Sequence, residues 1–297
     1  QSIGFSPDET LIVTGSADGT AKIWNAETGE TIRTLAGHAG AVSSTAFSPD
    51  GGRIVTASSD GTAKLWNTET GDEIRTFAGH EGYVHSAAFS PDGAHIVTAS
   101  WDETARLWDA NTGEEIMQFS GHEHQVFSAS FSPTGKQIVT ASDDGTAKLW
   151  ETETGNNILT FIGHESGVLF ASFSPQHGTR ILTTSRDGTA KLWDAMIGEE
   201  LQSFGGQNHE VRMASFSPDE TQILSFSRPR PNLETIVKVG EAKIWTLDPI
   251  LLETDVSRQV AMACAKARAT GVDRFTRADR ERYALIADLP EGWSPCD

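Results

Sequence analysis

The sequence is short of basic residues, of cysteine and of long apolar runs, and each shortage excludes a class of protein. Its 297 residues carry 23 Lys and Arg against 41 Asp and Glu, a net charge of −18. Because nucleic-acid binding depends on neutralising phosphates, we expect no nucleic-acid partner. Two cysteines are too few for a disulfide framework or a four-cysteine zinc site. No uninterrupted run of about 18 apolar residues occurs, which excludes a membrane span. The sequence predicts a soluble protein, in the cytoplasm rather than outside it.

Repetition is the strongest feature of the sequence. Phe-Ser-Pro occurs six times at spacings of 42 or 43 residues, and Gly-His pairs recur with the same period. A tryptophan stands near the end of each unit. These tryptophans are Trp24, Trp66, Trp108, Trp150, Trp193 and Trp245. A fixed period of this length is typical of repeat architectures, in which each unit packs on its neighbours.

Within a unit the pattern favours strands and turns. Residues 53–58 and 62–66 are rich in β-branched and aromatic residues, and Asp60-Gly61 between them is a hairpin signal. Residues 48–51, Ser-Pro-Asp-Gly, form a second turn, and Glu-Thr-Gly before Asp72 a third. Three turns in 42 residues predict four short antiparallel strands. Such sheets bury their faces only against one another, as in a radial array.

The ordered landmarks Gly-His, Phe-Ser-Pro-Asp-Gly, Ser-x-Asp-Gly-Thr and Leu-Trp-Asn/Asp resemble the WD40 repeat family over residues 1 to about 250. The Trp-Asp dipeptide itself is complete only at residues 108–109 and 193–194. The resemblance implies an all-β fold, a β-propeller of four-stranded antiparallel blades. Six repeats are visible and the first is incomplete, so we expect a fragment of a seven-bladed or longer array.

We predict two regions, the propeller over residues 1–250 and a helical extension over 251–297. The extension has a spaced apolar stripe and a capping-box signal, and it is similar to tails that follow WD40 arrays in some bacterial multidomain proteins. Cys264 and Cys296 lie in this extension. They form either a disulfide or two reduced, buried thiols, and the sequence does not choose between them.

The family resemblance also implies a structural hydrogen-bonded set in each complete repeat, running from Trp to Ser, from Ser to His and from His to Asp. The matching positions are His38, Ser58, Asp60 and Trp66; His80, Ser100, Asp102 and Trp108; His122, Ser142, Asp144 and Trp150; and His164, Ser185, Asp187 and Trp193. Four equivalent copies argue against a single Ser-His-Asp active site, and no Gly-x-Ser-x-Gly elbow is present.

The innermost strands carry no Asp or Glu in the second to fifth repeats, so the channel offers no acid–base pair and no oxygen-ligand metal site. We therefore predict no catalytic residue, no metal site, no cofactor and no small-molecule substrate.

Positions that vary between repeats are candidates for partner binding, because fixed positions build the blade. By the resemblance, the residue before the turn Asp and those flanking the first-strand Val face one open end of the propeller. The candidates are Tyr83, His85, Trp101, Phe127, Asp143, Leu169, Arg186 and Arg212. Aromatic residues and Arg are enriched at binding hot spots. The alternative is that Phe127 and Leu169 pack between blades, which leaves Trp101, Tyr83 and the charged groups exposed.

These observations predict a non-catalytic scaffold or sensor that binds a protein or peptide on one rim. The negative charge favours a basic partner, although it also serves solubility. Two alternatives stay open: a regulatory domain for an upstream enzyme that this chain lacks, and a propeller hydrolase with its active site in the channel.

Overall fold

The computed structural model describes residues 2–205, 209–228 and 240–247. All of these except Thr246 and Leu247 belong to one compact unit, residues 1–245. The described residues form strands and turns without helix, in five four-stranded sheets and one three-stranded sheet, which confirms the all-β prediction. The predicted boundary at residue 250, the helical extension and both cysteines lie outside the described residues.

Each sheet is an antiparallel meander of consecutive strands, here called a blade. The strands of blades one to three are β1 Ser2–Phe5, β2 Leu11–Gly15, β3 Thr20–Asn25 and β4 Thr31–Ala36; β5 Val42–Phe47, β6 Arg53–Ser58, β7 Thr62–Asn67 and β8 Glu73–Ala78; and β9 Val84–Phe89, β10 His95–Ser100, β11 Ala105–Asp109 and β12 Glu115–Phe119.

Blades four to six follow the same plan. Their strands are β13 Val126–Phe131, β14 Gln137–Ser142, β15 Thr146–Glu151 and β16 Asn157–Ile162; β17 Val168–Phe173, β18 Arg180–Ser185, β19 Ala190–Asp194 and β20 Glu200–Phe204; and β21 Glu210–Phe216, β22 Gln222–Arg228 and β23 Glu241–Thr246.

Burial within a blade follows the order of its strands. The second strand, for example β6, is buried along almost its whole length, whereas the outermost strand β8 is mostly exposed. The sequence reflects this, because the Ile-Val-Thr-Ala-Ser run of β6 is apolar or small on both faces, as a strand covered on both sides requires. The first strand of each blade lies beside the first strand of the next.

Neighbouring blades bury apolar side chains against each other. Val13 and Ile23 of blade one share a core cluster with Ile54 and Trp66 of blade two, and equivalent clusters join the later blades as far as blade five. Hydrogen bonds add to this packing. The Ser43 hydroxyl donates to the Val84 carbonyl at 2.9 Å across the blade two–three boundary. The blades therefore form a stiff frame for the residues at their ends.

The first strand of blades two to six has a β-bulge directly after its first Val. In blade two, Val42 pairs with Ser58 and Ser44 with Ala57, so Ser43 has no partner opposite it. Bulges redirect side chains, often next to functional sites. The bulged residues are Ser43, His85, Phe127, Leu169 and Arg212. Four of these five are predicted partner-binding residues.

Candidate functional site: a rigid blade network and an aromatic rim

A buried chain of hydrogen bonds ties the end of each complete blade together. In blade two, the Trp66 indole donates to the Thr56 hydroxyl at 2.9 Å, and that hydroxyl donates to His38 Nε2 at 2.7 Å. His38 Nδ1–H then donates to the Asp60 carboxylate at 2.8 Å. Asp60 also accepts the Thr62 backbone N–H and thereby holds the hairpin turn. Each polar group finds a partner, which is what burial demands.

The same chain recurs three more times with nearly constant geometry. The Trp–Thr distances are 2.8–2.9 Å, and the His–Thr and His–Asp distances are 2.7–2.8 Å. The hydroxyls in these copies belong to Thr98, Thr140 and Thr183.

The predicted hydroxyl was therefore wrong in every set, since the sequence reasoning chose Ser58, Ser100, Ser142 and Ser185. The reason is register. Trp66 pairs directly with Ile54, so Thr56 is its diagonal neighbour on the same face, while Ser58 lies one step further along the strand. The serines instead accept the backbone N–H of the turn aspartates, as Ser58 does from Asp60 at 3.1 Å.

The threonines are no more regularly spaced than the serines, which each stand eight positions before their Trp. Each of these threonines stands ten positions before its Trp, and Thr14 has the same relation to Trp24 in the first repeat. The Trp24 indole donates to Thr14 at 2.8 Å, so the first repeat keeps this bond. In the last repeat, Trp245 donates to Ser225.

Burial and hydrogen bonding shift the pKa values of the Asp and His side chains in the network. Burial by itself would raise the pKa of Asp102, but hydrogen bonds from His80 and Thr104 outweigh it and hold the pKa far below its usual range. The pKa values of Asp144 and Asp187 are lowered for the same reasons. Burial lowers the pKa of His38 despite the opposing hydrogen bond to Asp60. The aspartates are thus ionised and His38 is neutral at pH 7.

These sets cannot serve as nucleophile sites. The Thr140 and Ser142 side chains are fully buried, and the ring of His122 is almost so. A substrate could reach the hydroxyl only if the blade opened. Each of the four sets links two strands and a turn of its blade by hydrogen bonds, and its structural role stays a prediction.

A different group of side chains lies exposed at the start of the innermost strands. The Tyr83 and Trp101 rings stack with centroids 4.5 Å apart and planes inclined by 24°, and they are 46% and 38% exposed. A backbone hydrogen bond from Trp101 N–H to the Tyr83 carbonyl, 2.9 Å, fixes the two residues relative to each other. The pair is a preformed aromatic platform.

The platform continues into a charged cluster through two bulged residues. The His85 ring meets the Phe127 ring edge-on at 5.3 Å, and the Arg186 guanidinium lies 5.1 Å from the centre of the Phe127 ring. Arg186 in turn donates to the Asp143 carboxylate at 2.6 Å. Gly167 touches this carboxylate so closely that a Cβ there would lie 2.1 Å from Asp143 Oδ1. We call Tyr83, His85, Trp101, Asp143 and Arg186 the rim patch.

His85 is held as a neutral hydrogen-bond acceptor. Its Nδ1–H donates to the Phe127 carbonyl at 2.8 Å, and within the described part of the chain Nε2 has no hydrogen-bond partner. Burial lowers the pKa of His85, a shift that the Phe127 carbonyl opposes and Arg212 reinforces. Arg212 itself is paired with Glu210, which the sequence reasoning did not single out.

The structure divides the predicted partner-binding residues into two groups. Tyr83, Trp101 and Arg212 are exposed and the side chains of Asp143 and Arg186 partly so, whereas Phe127 is only 4% exposed and lies beneath Arg186. Leu169 is half-buried. Phe127 therefore has the packing role that the sequence analysis gave as the alternative. The ring and ion-pair contacts of these side chains depend on how strands and neighbouring blades pack, so the sequence alone could not predict them.

Two general features concern membranes and metals. Among the described residues, no helix is long and apolar enough to cross a membrane. In the same part of the chain, no three His, Cys, Asp or Glu side chains are grouped so as to hold a metal ion.

The comparison with protein families gives a clear result. The family model described as "WD domain, G-beta repeat" matches residues 1–25, 29–67, 71–109, 113–151 and 155–194. These segments cover more than half of the chain and correspond to blades one to five. No curated protein matches the sequence.

Proposed function

Because the chain belongs to the WD40 family, we propose that it is a non-catalytic interaction module that binds a protein or peptide through the rim patch. WD40 repeats generally mediate protein–protein interaction or scaffolding, and propellers of this family are usually non-catalytic. The observation that carries the proposal is the stacked, exposed Tyr83–Trp101 pair beside the Arg186–Asp143 ion pair.

Physical chemistry supports this choice of surface. Stacked aromatic rings offer a large contact area, and they lose little further conformational entropy on binding because the stacking already restricts them. Trp, Tyr and Arg dominate binding hot spots. Arg186 lies against the Phe127 ring and donates to the Asp143 carboxylate, so its guanidinium is already oriented before a partner arrives. His85 Nε2 adds an acceptor for a backbone or side-chain N–H. The patch thus combines apolar area with charged and hydrogen-bonding groups.

The test uses peptides selected on the wild-type protein from a phage-displayed random dodecapeptide library. The recovered peptides are titrated calorimetrically into wild type, Trp101→Ala and Ile162→Ala. Ile162 is a matched control, since it is exposed and apolar but lies on the outermost strand β16 of blade four. We expect Trp101→Ala to weaken binding by about 30-fold, as hot-spot truncation does, and Ile162→Ala to leave it unchanged.

Thermal unfolding of each variant confirms that the fold is kept. Unchanged affinity in Trp101→Ala, Tyr83→Ala and Arg186→Ala alike would refute the rim patch as the binding surface.

A further inference from the structure

The opposite ends of the innermost strands form a second concave surface. Each innermost strand ends on Phe, followed by Ser-Pro, and in five consecutive blades these residues enclose a cavity of about 430 Å³. We call it the Phe-Ser-Pro cup. Its wall consists of the Phe and Pro of these five turns, the Ser of all but the first, and Ala46 and Ala88. Six residues of strand separate it from the rim patch, about 20 Å.

The wall of the cup is apolar in effect. The Ser48 and Ser90 hydroxyls are buried and donate to Asp50 and Asp92 at 2.5 Å, so they are not available to a ligand. The surface that faces the cavity is mostly apolar, from Phe, Pro and Ala side chains, with a smaller polar part. A cavity of this kind favours an apolar group, and it is large enough for one or more side chains.

The cup is also stiff. Four of the five prolines pack against a turn glycine of the next blade: a Cβ at Gly93 would lie 3.5 Å from Pro49 Cδ, and one at Gly135 the same distance from Pro91 Cδ. These glycines have φ values of +68° and +72°, which disfavour any side chain. Arg53 bridges the same boundary, since it donates to the Gly93 carbonyl at 2.8 Å. Because the cavity is already formed, few side chains become ordered when a ligand fills it, and little conformational entropy is lost.

Carboxylates outnumber basic groups beside one half of the cup, where the Arg53 guanidinium lies 5.5 Å from the centre of the Phe89 ring. Asp8, Asp50 and Asp92 follow the prolines of blades one to three and are exposed. Hydrogen bonds from the preceding serines, with the backbone N–H two residues on, lower the pKa of each carboxyl. These carboxylates are therefore charged at neutral pH. Blades four and five have Thr134 and Gln176 at the same positions, so the other half is uncharged there.

We propose that the Phe-Ser-Pro cup is a second docking site, which binds an extended segment of another protein through an apolar side chain flanked by Lys or Arg. The apolar side chain enters the cavity, and the basic flanks lie over the carboxylates of blades one to three. The site does not depend on the rim patch.

The experiment uses three synthetic peptides with blocked ends: Lys-Lys-Phe-Lys-Lys, the anchorless Lys-Lys-Gly-Lys-Lys and the charge-reversed Glu-Glu-Phe-Glu-Glu. Affinity is measured by NMR titration of the whole chain at low salt. We expect the first peptide to bind at least tenfold more tightly than either of the others. Equal affinity for the Phe and Gly peptides would overturn the proposal, because the cavity would then contribute nothing.

Two variants with the same loss of charge test the position of the basic flanks. One carries Asp8→Asn, Asp50→Asn and Asp92→Asn. The control carries Asp18→Asn, Glu69→Gln and Glu153→Gln, three exposed carboxylates that do not follow these prolines. We expect the first variant to bind the Lys-Lys-Phe-Lys-Lys peptide about fivefold more weakly and the control to match wild type, since exposed ion pairs contribute little individually. Equal losses in both would contradict the predicted position.

Photo-crosslinking separates the cup from the rim patch. A peptide with benzoylphenylalanine in place of Phe is irradiated with the wild-type protein, and the labelled fragments are identified by mass spectrometry. Labels within residues 46–49, 88–91 or 131–133 support the cup. Labels at Trp101 or Tyr83 would overturn the cup as the binding site and leave the proposed function of the rim patch intact. Conversely, a failure of the Trp101→Ala test would not affect the proposal for the cup.

Discussion

At the scale of single residues, one hydroxyl in each of blades two to five takes part in two hydrogen bonds at once. Thr140 accepts the Trp150 indole N–H at 2.8 Å and donates to His122 at 2.7 Å, while it is fully buried. Threonine suits this position because its branched Cβ fits a strand and fixes the hydroxyl in one direction. A buried group that satisfies two others is costly to remove, since both of its partners are then left unpaired in a low-dielectric region.

Replacing Thr140 with valine tests this role. Thr140→Val keeps the shape but removes the hydroxyl, and we expect the free energy of unfolding to fall by about 2–3 kcal/mol. The matched control is Thr14→Val, where the hydroxyl serves only the half-buried Trp24, and we expect a loss of about 1 kcal/mol. Urea unfolding at pH 7 measures both. Equal losses would contradict the double role of Thr140.

The second residue-scale prediction concerns the protonation of His85. Since burial lowers its pKa and Arg212 adds to the effect, the imidazole should titrate below the ordinary value of about 6.5 in an NMR titration. Arg212→Gln removes a positive charge and should raise the pKa towards that value. Arg228→Gln, which removes a charge at the end of β22, is the control. No change in Arg212→Gln would show that Arg212 does not contribute to the lowered pKa of His85.

At the scale of the elements, the sequence predicts the blade well and the ligand-facing surface poorly. Gly61, with a φ of +87°, and Asp60 mark their hairpin directly, because both residues are required by the local backbone. The four-stranded blades follow from three such turns in each period. In contrast, the bulge at Phe127 depends on how two strands pair, which no local pattern encodes. For the same reason the choice between Thr56 and Ser58 needed the register.

Lowering the pH should reduce the stability of the folded blades, because their turn aspartates become protonated. The folded pKa of Asp144 is lowered, so near pH 3–4 the unfolded chain takes up a proton that the folded chain does not. Its stabilising contribution is complete above the unfolded pKa of about 3.9 and is lost as the pH falls towards the folded pKa. Asp144→Asn should therefore be less stable than wild type at pH 7 and lose less stability between pH 5 and pH 3.

Urea unfolding at pH 7, 5, 4 and 3 measures this dependence. Glu69→Gln, which removes an exposed carboxylate, serves as the control and should follow the wild-type curve. If Asp144→Asn also followed the wild-type slope between pH 5 and pH 3, the carboxylate would not be a source of the acid sensitivity.

At the scale of the whole molecule, stability depends on faces that neighbouring blades cover. Ile23 and Ile244 both stand directly before the Trp of their repeat. Ile23 is 0% exposed against blade two, while Ile244 is 69% exposed. Leu224 and Phe226 on blade six are exposed as well. In repeat proteins, stability is approximately a sum of the units and the interfaces between neighbours. The same residue type in the same register should therefore contribute very differently in these two blades.

The pair Ile23→Ala and Ile244→Ala measures this difference. Ile23→Ala leaves a cavity beside Ile54 and Trp66 and should lower the free energy of unfolding by about 2–5 kcal/mol. Ile244→Ala removes surface that water already reaches, and the change should stay within about 0.5 kcal/mol. Urea unfolding at pH 7 gives both values, and hydrogen exchange should show β21–β23 less protected than β9–β16. A loss in Ile244→Ala as large as in Ile23→Ala would contradict this prediction. It would show that Ile244 is buried in solution, because removing side-chain carbons lowers the free energy of unfolding this much only where they are buried.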